Sequence, residues 1–115
     1  MVGTPGGNVY LRLSLMRPRA GEAAHVGEIL DELARYYAGL PGFIEGFTLV
    51  ESAKGEEVGR VGMWRSEADA EHAANQQHVM VLRAELMRVV EPGSHLEKSF
   101  TAEGRQAAES TARSS

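Results

Sequence analysis

Along this chain the spacing of apolar residues switches repeatedly between a period of two and a period of three to four, and the order of those switches restricts the fold more than any single residue. Val9–Met16 alternates: Val9, Leu11, Leu13 and Leu15 share one face, and Tyr10, Arg12, Ser14 and Met16 the other, as in a strand. The second set mixes large and polar groups, which is expected of a surface that meets a partner rather than of a plain core. Pro18 and Gly21 then turn the chain. Over 22–38 the period lengthens, with Val26, Ile29, Leu30, Leu33, Tyr37 and Leu40 on a helical stripe and Glu28, Asp31, Glu32 and Arg35 opposite. Asp31 and Arg35 form an i,i+4 pair on the exposed side. Gly39 suits the residue after this helix, and Pro41-Gly42 stops it. Residues 43–52 and 58–65 return to strands, joined as a hairpin through Lys54-Gly55-Glu56-Glu57. A kink at Gly46 decides which face Phe47 and Leu49 take. In the second of these strands Val61 and Met63 share one face, and Arg60, Gly62 and Trp64 the other. Ser66 followed by Asp69 is a capping-box signature for a short helix over 67–74. A further helix over about 76–90 carries Val79, Leu82, Leu86 and Val89, and Pro92-Gly93 ends it. A last strand over 94–101 places Leu96 and Phe100 on one face.

Strand, helix, two strands, helix pair, strand is the split βαβ order. It predicts an α+β, ferredoxin-like domain: a four-stranded antiparallel sheet with helices on one face. The other sheet face is left bare, and a symmetric homodimer is the simplest way to cover it. The 115 residues suffice for one domain, expected over 9–101. Residues 1–8, rich in Gly and Pro, read as a flexible leader, and 102–115, polar and without a stripe, as a dispensable tail. A net charge of −4 with no basic stripe argues against nucleic acid. The absence of cysteine excludes disulfides, thiolate chemistry and Cys-ligated metals. No apolar run approaches about 18 residues, so no membrane span is expected. With no basic-then-apolar start either, a cytoplasmic location is the expectation.

Chemistry concentrates between Arg60 and Arg83, where 24 residues hold the only Trp, the helix cap and two of the four histidines. Trp64 ends its strand, and Gly62 on the same face leaves room for a ring or a ligand. His72 lies on the short helix. His78 lies in the first turn of the next, where the positive end of the helix favours the neutral imidazole. With an unperturbed pKa of ~6.5, such a group accepts protons near neutral pH. Tyr37 and Leu33 on the first helix are placed to close a cavity over Trp64. Structural roles compete with each of these. A buried Trp contributes ~3–5 kcal/mol without any ligand, and His78 suits packing against the turn at Asn75. His25 reads as a solvated surface group, and Tyr10, Arg12 and Ser14 as dimer-interface or sheet-surface groups. Of the adjacent Tyr36 and Tyr37, only Tyr37 follows the stripe. His72 and His78 lack same-face spacing and a third ligand, so no metal is expected.

Trp64-Arg65-Ser66-Glu67, then Ala70, His72 and His78, with Leu40-Pro41-Gly42 after the first helix and Gly21 before it, resembles the antibiotic biosynthesis monooxygenase family over about residues 9 to 100. The resemblance implies a dimeric α+β barrel with two sheets packed face to face. It also implies a pocket between sheet and helices near Trp64, and oxygenation of a quinol or polycyclic aromatic without a bound cofactor. Many sequences of this type have no established activity. Polyketide-oxidising members carry an Asn on the strand near the Trp, where this chain has Arg60 and Gly62. The haem-degrading branch carries a His in the last helix, where this chain has Leu82 and Arg83, and an Asn in the first strand that is missing here; haem degradation is therefore disfavoured. Two functions follow from the sequence. One is a cofactor-free monooxygenase for a small aromatic ligand, with His78 as proton acceptor and His72 as second choice. The other is a non-enzymatic dimer that binds a small apolar metabolite or serves a stress role.

Overall fold

The computed structural model describes residues 8–108. The expected leader, apart from Asn8, and the last part of the expected tail, 109–115, lie outside the described residues. The elements are β1 (Val9–Met16), α1 (Ala23–Ala38), β2 (Phe43–Val50), β3 (Val58–Trp64), α2 (Glu67–Ala74), α3 (Gln77–Val89) and β4 (Leu96–Ala102). The sheet order is β2-β3-β1-β4, with every neighbouring pair antiparallel. This is the ferredoxin-like α+β arrangement that the order of periods predicts. No helix among the described residues is long and apolar enough to cross a membrane.

All three helices pack on one face of the sheet. Val26, Ile29, Leu30, Leu33 and Tyr37 from α1, Ala70 and Ala73 from α2, and Val79, Leu86 and Val89 from α3 form one cluster with Met16 and Trp64. The small residues of α2 let that short helix lie close over the end of β3. Ser66 caps it, its Oγ accepting from the Asp69 N–H at 3.1 Å, a contact of a kind that contributes ~1 kcal/mol.

The turn after α1 differs from the expected one. Gly39 has φ −96° and is not left-handed. Gly42 has φ +83°, and a Cβ there would overlap the Asp69 side chain. The Arg65 N–H donates to the Gly42 carbonyl at 2.8 Å, which ties this turn to the exit of β3. On the surface of α1, Arg35 pairs with Glu32 at 3.2 Å rather than with Asp31.

The two faces of β1 are the reverse of the expectation. Its register with β3 sets Tyr10 opposite Trp64, Arg12 opposite Gly62, Ser14 opposite Arg60 and Met16 opposite Val58. Met16 and Trp64 are buried beneath the helices. Side chains alternate strictly along a strand, so Tyr10, Arg12 and Ser14 lie on the covered side too. Leu11, Leu13 and Leu15 therefore belong to the bare side, with Val61, Met63, Leu96 and Phe100. In β2 the irregularity falls between Phe43 and Glu45, just before Gly46. It leaves Phe43 on the covered face against Trp64 and puts Phe47 and Leu49 on the bare one.

Candidate functional site

A cavity lies between the covered face of the sheet and the helices. Its floor is Arg12 and Ser14 from β1 with Arg60 and Trp64 from β3. Its roof is Leu30, Leu33 and Tyr37 from α1 with Arg83 and Leu86 from α3, and His95 and Glu97 close one side as the chain enters β4. The enclosed space is small. Its volume is about 40 Å³, room for roughly three waters at ~10–15 Å³ each.

The apolar corner is built from rings. Trp64 meets Tyr37 edge to face at 5.6 Å and Phe43 at 5.1 Å; each such pair contributes about 0.5–1.5 kcal/mol beyond the area it buries. Gly62 clears the space beside the indole, because a Cβ there would stand 3.3 Å from Trp64 Nε1. Gly62 shapes the cavity from behind and does not line it.

The polar part carries more positive than negative charge. Three guanidiniums (Arg12, Arg60 and Arg83) line the cavity against one carboxylate, Glu97, in a chain whose net charge is −4. Two of the three are paired. Arg12 donates to Glu71 at 2.7 Å and to the Tyr10 hydroxyl at 3.1 Å. Arg83 grips Glu97 through two hydrogen bonds of 2.9 and 3.2 Å. That bond and the charge behind it hold the Glu97 carboxyl below the usual carboxylate range, against the opposing effect of partial burial. Arg60 has no such partner. It is 8% exposed, its Nε has no acceptor, and it forms no ion pair among the described residues. Its guanidinium carbon sits 4.7 Å from the centre of the Tyr37 ring, a cation–π contact. Burial lowers its pKa, and the Tyr37 hydroxyl partly offsets this.

One imidazole reaches the cavity, and it is His95. Its Nε2 shares a 2.9 Å hydrogen bond with Ser14 Oγ. With Nε2 unprotonated the hydroxyl donates to it; in the other tautomer the ring donates to the oxygen. The histidines singled out by sequence lie elsewhere. His78 is exposed, its Nε2 3.1 Å from Glu32 and its ring 4.7 Å from that of Tyr36. His72 is exposed beside Gln76, 3.2 Å away. Of the residues expected at the site, Trp64, Tyr37 and Leu33 are brought together, and His78, His72 and Gly62 are not part of the lining. His95, Ser14, Arg12, Arg83 and Glu97 were missed. For Arg12 and Ser14 the available signal was the unlike faces of β1, one wholly apolar and the other with Tyr, Arg and Ser, which does not say which is covered; for His95, Arg83 and Glu97 there was none. Among the described residues no three His, Asp or Glu side chains converge as metal ligands.

No family model matches the sequence, and no curated protein does. In fold the chain is similar to Rv0793 from Mycobacterium tuberculosis, at 15% identity and a TM-score of 0.76, over 87% of this chain and 99% of that one. It is also similar to SnoaB, a cofactor-independent oxygenase from Streptomyces nogalater, at 17% identity and a TM-score of 0.67, over 88% and 96% of the two chains. A Nitrosomonas europaea protein provisionally described as an antibiotic biosynthesis monooxygenase matches at 14% identity and a TM-score of 0.72, over 85% and 91%. The fold is thus one found in monooxygenases of this type, shared over nearly their whole length.

Proposed function

We propose that this chain is a cofactor-independent monooxygenase of the antibiotic biosynthesis type, oxidising a small quinol or polycyclic aromatic with O₂ as a homodimer. The observation that supports this best is one cavity holding an aromatic corner, an excess of positive charge and a single imidazole. His95 takes the role that the sequence pattern offered to His78, because only His95 reaches the cavity. In this reading His95 accepts a proton from the substrate, with Ser14 fixing the ring. The guanidiniums stabilise the resulting anion in surroundings where water is scarce. The anion gives one electron to O₂, and the two radicals combine at carbon. The peroxide anion takes the proton back from His95 and then loses water: one oxygen atom remains as a carbonyl and the other leaves as H₂O. The fold likeness to SnoaB supports the reaction class, and the bare apolar sheet face supports the dimer.

The size of the cavity favours a second reading, a non-enzymatic dimer that binds a small metabolite. A ring system larger than the cavity needs lining side chains to move, among them the partly exposed Met87 and the Arg83–Glu97 pair. Methionine adapts readily to such displacement. Oxygen uptake on a panel of hydroquinones and anthrones separates the readings. On an active substrate His95→Gln should lower turnover by on the order of 10²–10⁴, and His78→Ala should leave it within about threefold. Full activity in His95→Gln removes the base. A panel with no substrate at all favours the binding protein.

A further inference from the structure

Arg60 is the one cavity guanidinium with no counter-charge, and it is also the most buried of the three. Burying an unpaired cation costs several kcal/mol in a folded protein, so a fold that retains one has a use for the charge. Its slot is specifically made. Gly46 and Gly62 are register partners across β2 and β3. A Cβ on Gly46 would stand 3.1 Å from Arg60 Nη2, and one on Gly62 would stand 3.6 Å from Nη1. Two opposed glycines therefore open the sheet surface where the guanidinium lies, and the Tyr37 ring covers it. The group is held in place before any ligand arrives, with Nε lacking an acceptor.

From this geometry we infer that the cavity recognises an aromatic acid, its ring against Trp64, Tyr37 and Leu33 and its carboxylate on Arg60. A carboxylate matches the fork of a guanidinium through two parallel hydrogen bonds, which no neutral group reproduces. It also supplies the charge that Arg12 obtains from Glu71 and Arg83 from Glu97. The apolar remainder of the lining selects the ring. The inference concerns the same cavity as the proposed monooxygenase and names its substrate class, but binding is measurable without turnover.

The test is calorimetric titration of the full chain with 2-naphthoate and, separately, with its neutral analogue 2-naphthamide. The acid should bind at least about tenfold more tightly than the amide at low ionic strength. In Arg60→Met that preference should disappear, through loss of acid affinity by on the order of 10²-fold with amide affinity little changed. Arg60→Lys should recover only part of it, because a point charge lacks the fork. Thermal melting of each variant, run alongside, distinguishes a lost contact from a lost fold. Equal binding of acid and amide by the wild type, no binding of either at millimolar concentration, or an undiminished preference in a folded Arg60→Met overturns the inference. Binding of the acid with no O₂ uptake on any aromatic acid or quinol leaves the inference standing and removes the monooxygenase. Turnover of neutral quinols with no preference for the acid does the reverse.

Discussion

The two faces of this sheet each depart from the usual division of labour. An antiparallel sheet packed on one side normally turns apolar residues toward its helices and polar ones toward water. Here the covered face carries Arg12, Ser14, Arg60 and, at the edge of β4, Glu97. The uncovered face carries Leu11, Leu13, Val61 and Met63, with Phe47 and Phe100 55% and 47% exposed. Neither face makes sense for an isolated domain. A polar interior is justified by something held inside it, and an apolar exterior by something laid over it. The cavity and the uncovered apolar face thus lie on opposite sides of one sheet, only a strand's thickness apart.

The largest expected effect comes from breaking the outer face. Leu13 sits in the middle of it, between Val61 and Lys98 of the neighbouring strands. Leu13→Arg would bury an unpaired cation beside Lys98 in a dimer, a cost of about 3–5 kcal/mol. Sedimentation should show the dimer's dissociation constant rising by at least about 10²-fold, with the monomer still folded. A dimer untouched by this change would mean that the copies, if they associate, do so elsewhere, and the contrast between faces would lose its outer half.

The inner face should respond in the opposite sense. Removing the unpaired guanidinium in Arg60→Met relieves a desolvated charge, so the free protein should become more stable by about 1–3 kcal/mol. For a domain of this size that is a rise in Tm of roughly 4–8 °C per kcal/mol. Gaining stability while losing a ligand is the trade-off expected of a functional charge. A fall in Tm instead would make the stack on Tyr37 structural.

Much of this arrangement was legible in the sequence, and the misreadings have physical causes. Element order and boundaries follow from local periodicity and caps, so β1, α1 and the Ser66-capped α2 could be read directly. Which face of β1 meets the helices could not. Alternation shows that two faces differ, and only the long-range register with β3, set by burial of Met16 and Trp64, shows which is covered. Reading that face as a partner surface moved Arg12 and Ser14 out of the site. That His78 lies outside the cavity was unreadable for a related reason. His78 is near Trp64 in sequence, but α2 and the start of α3 carry it away to Glu32 and Tyr36. His95, far along the chain, is brought back by the pairing of β4 with β1.

A smaller effect sharpens the inner face further. Arg83 holds the Glu97 carboxyl below its ordinary pKa of 4.5. A carboxylate whose pKa is depressed on folding contributes stability above its unfolded pKa and loses it as the pH falls through the folded one. Glu97→Gln should therefore be less stable than wild type at neutral pH, with the difference shrinking as the pH falls below 4.5. Each partner is more than a third exposed, so solvent screening keeps the difference under about 1 kcal/mol. Urea titrations of both proteins across the acid range would measure it. A difference that stays constant down to the acid limit would mean that packing, not charge, holds Glu97.

The smallest expected effect is at His78, and it bears directly on what counts as inside. The ring lies on Tyr36 and its Nε2 meets Glu32, which Arg35 also contacts at 3.2 Å. All of these groups sit on the outer surface where α1 and α3 cross, so solvent weakens each contact. Arg35 remains to hold Glu32 once the imidazole is gone. His78→Ala should accordingly shift Tm by less than about 4 °C and leave the affinity for 2-naphthoate within about twofold of wild type. His95→Gln should change that affinity by more than about twofold, because its ring reaches the carboxylate's surroundings through Ser14, the register partner of Arg60. Calorimetry on the two variants side by side reads the contrast. If His78→Ala weakens the acid tenfold while His95→Gln does not, the ligand lies under the start of α3, and the boundary drawn between cavity and surface has to move there.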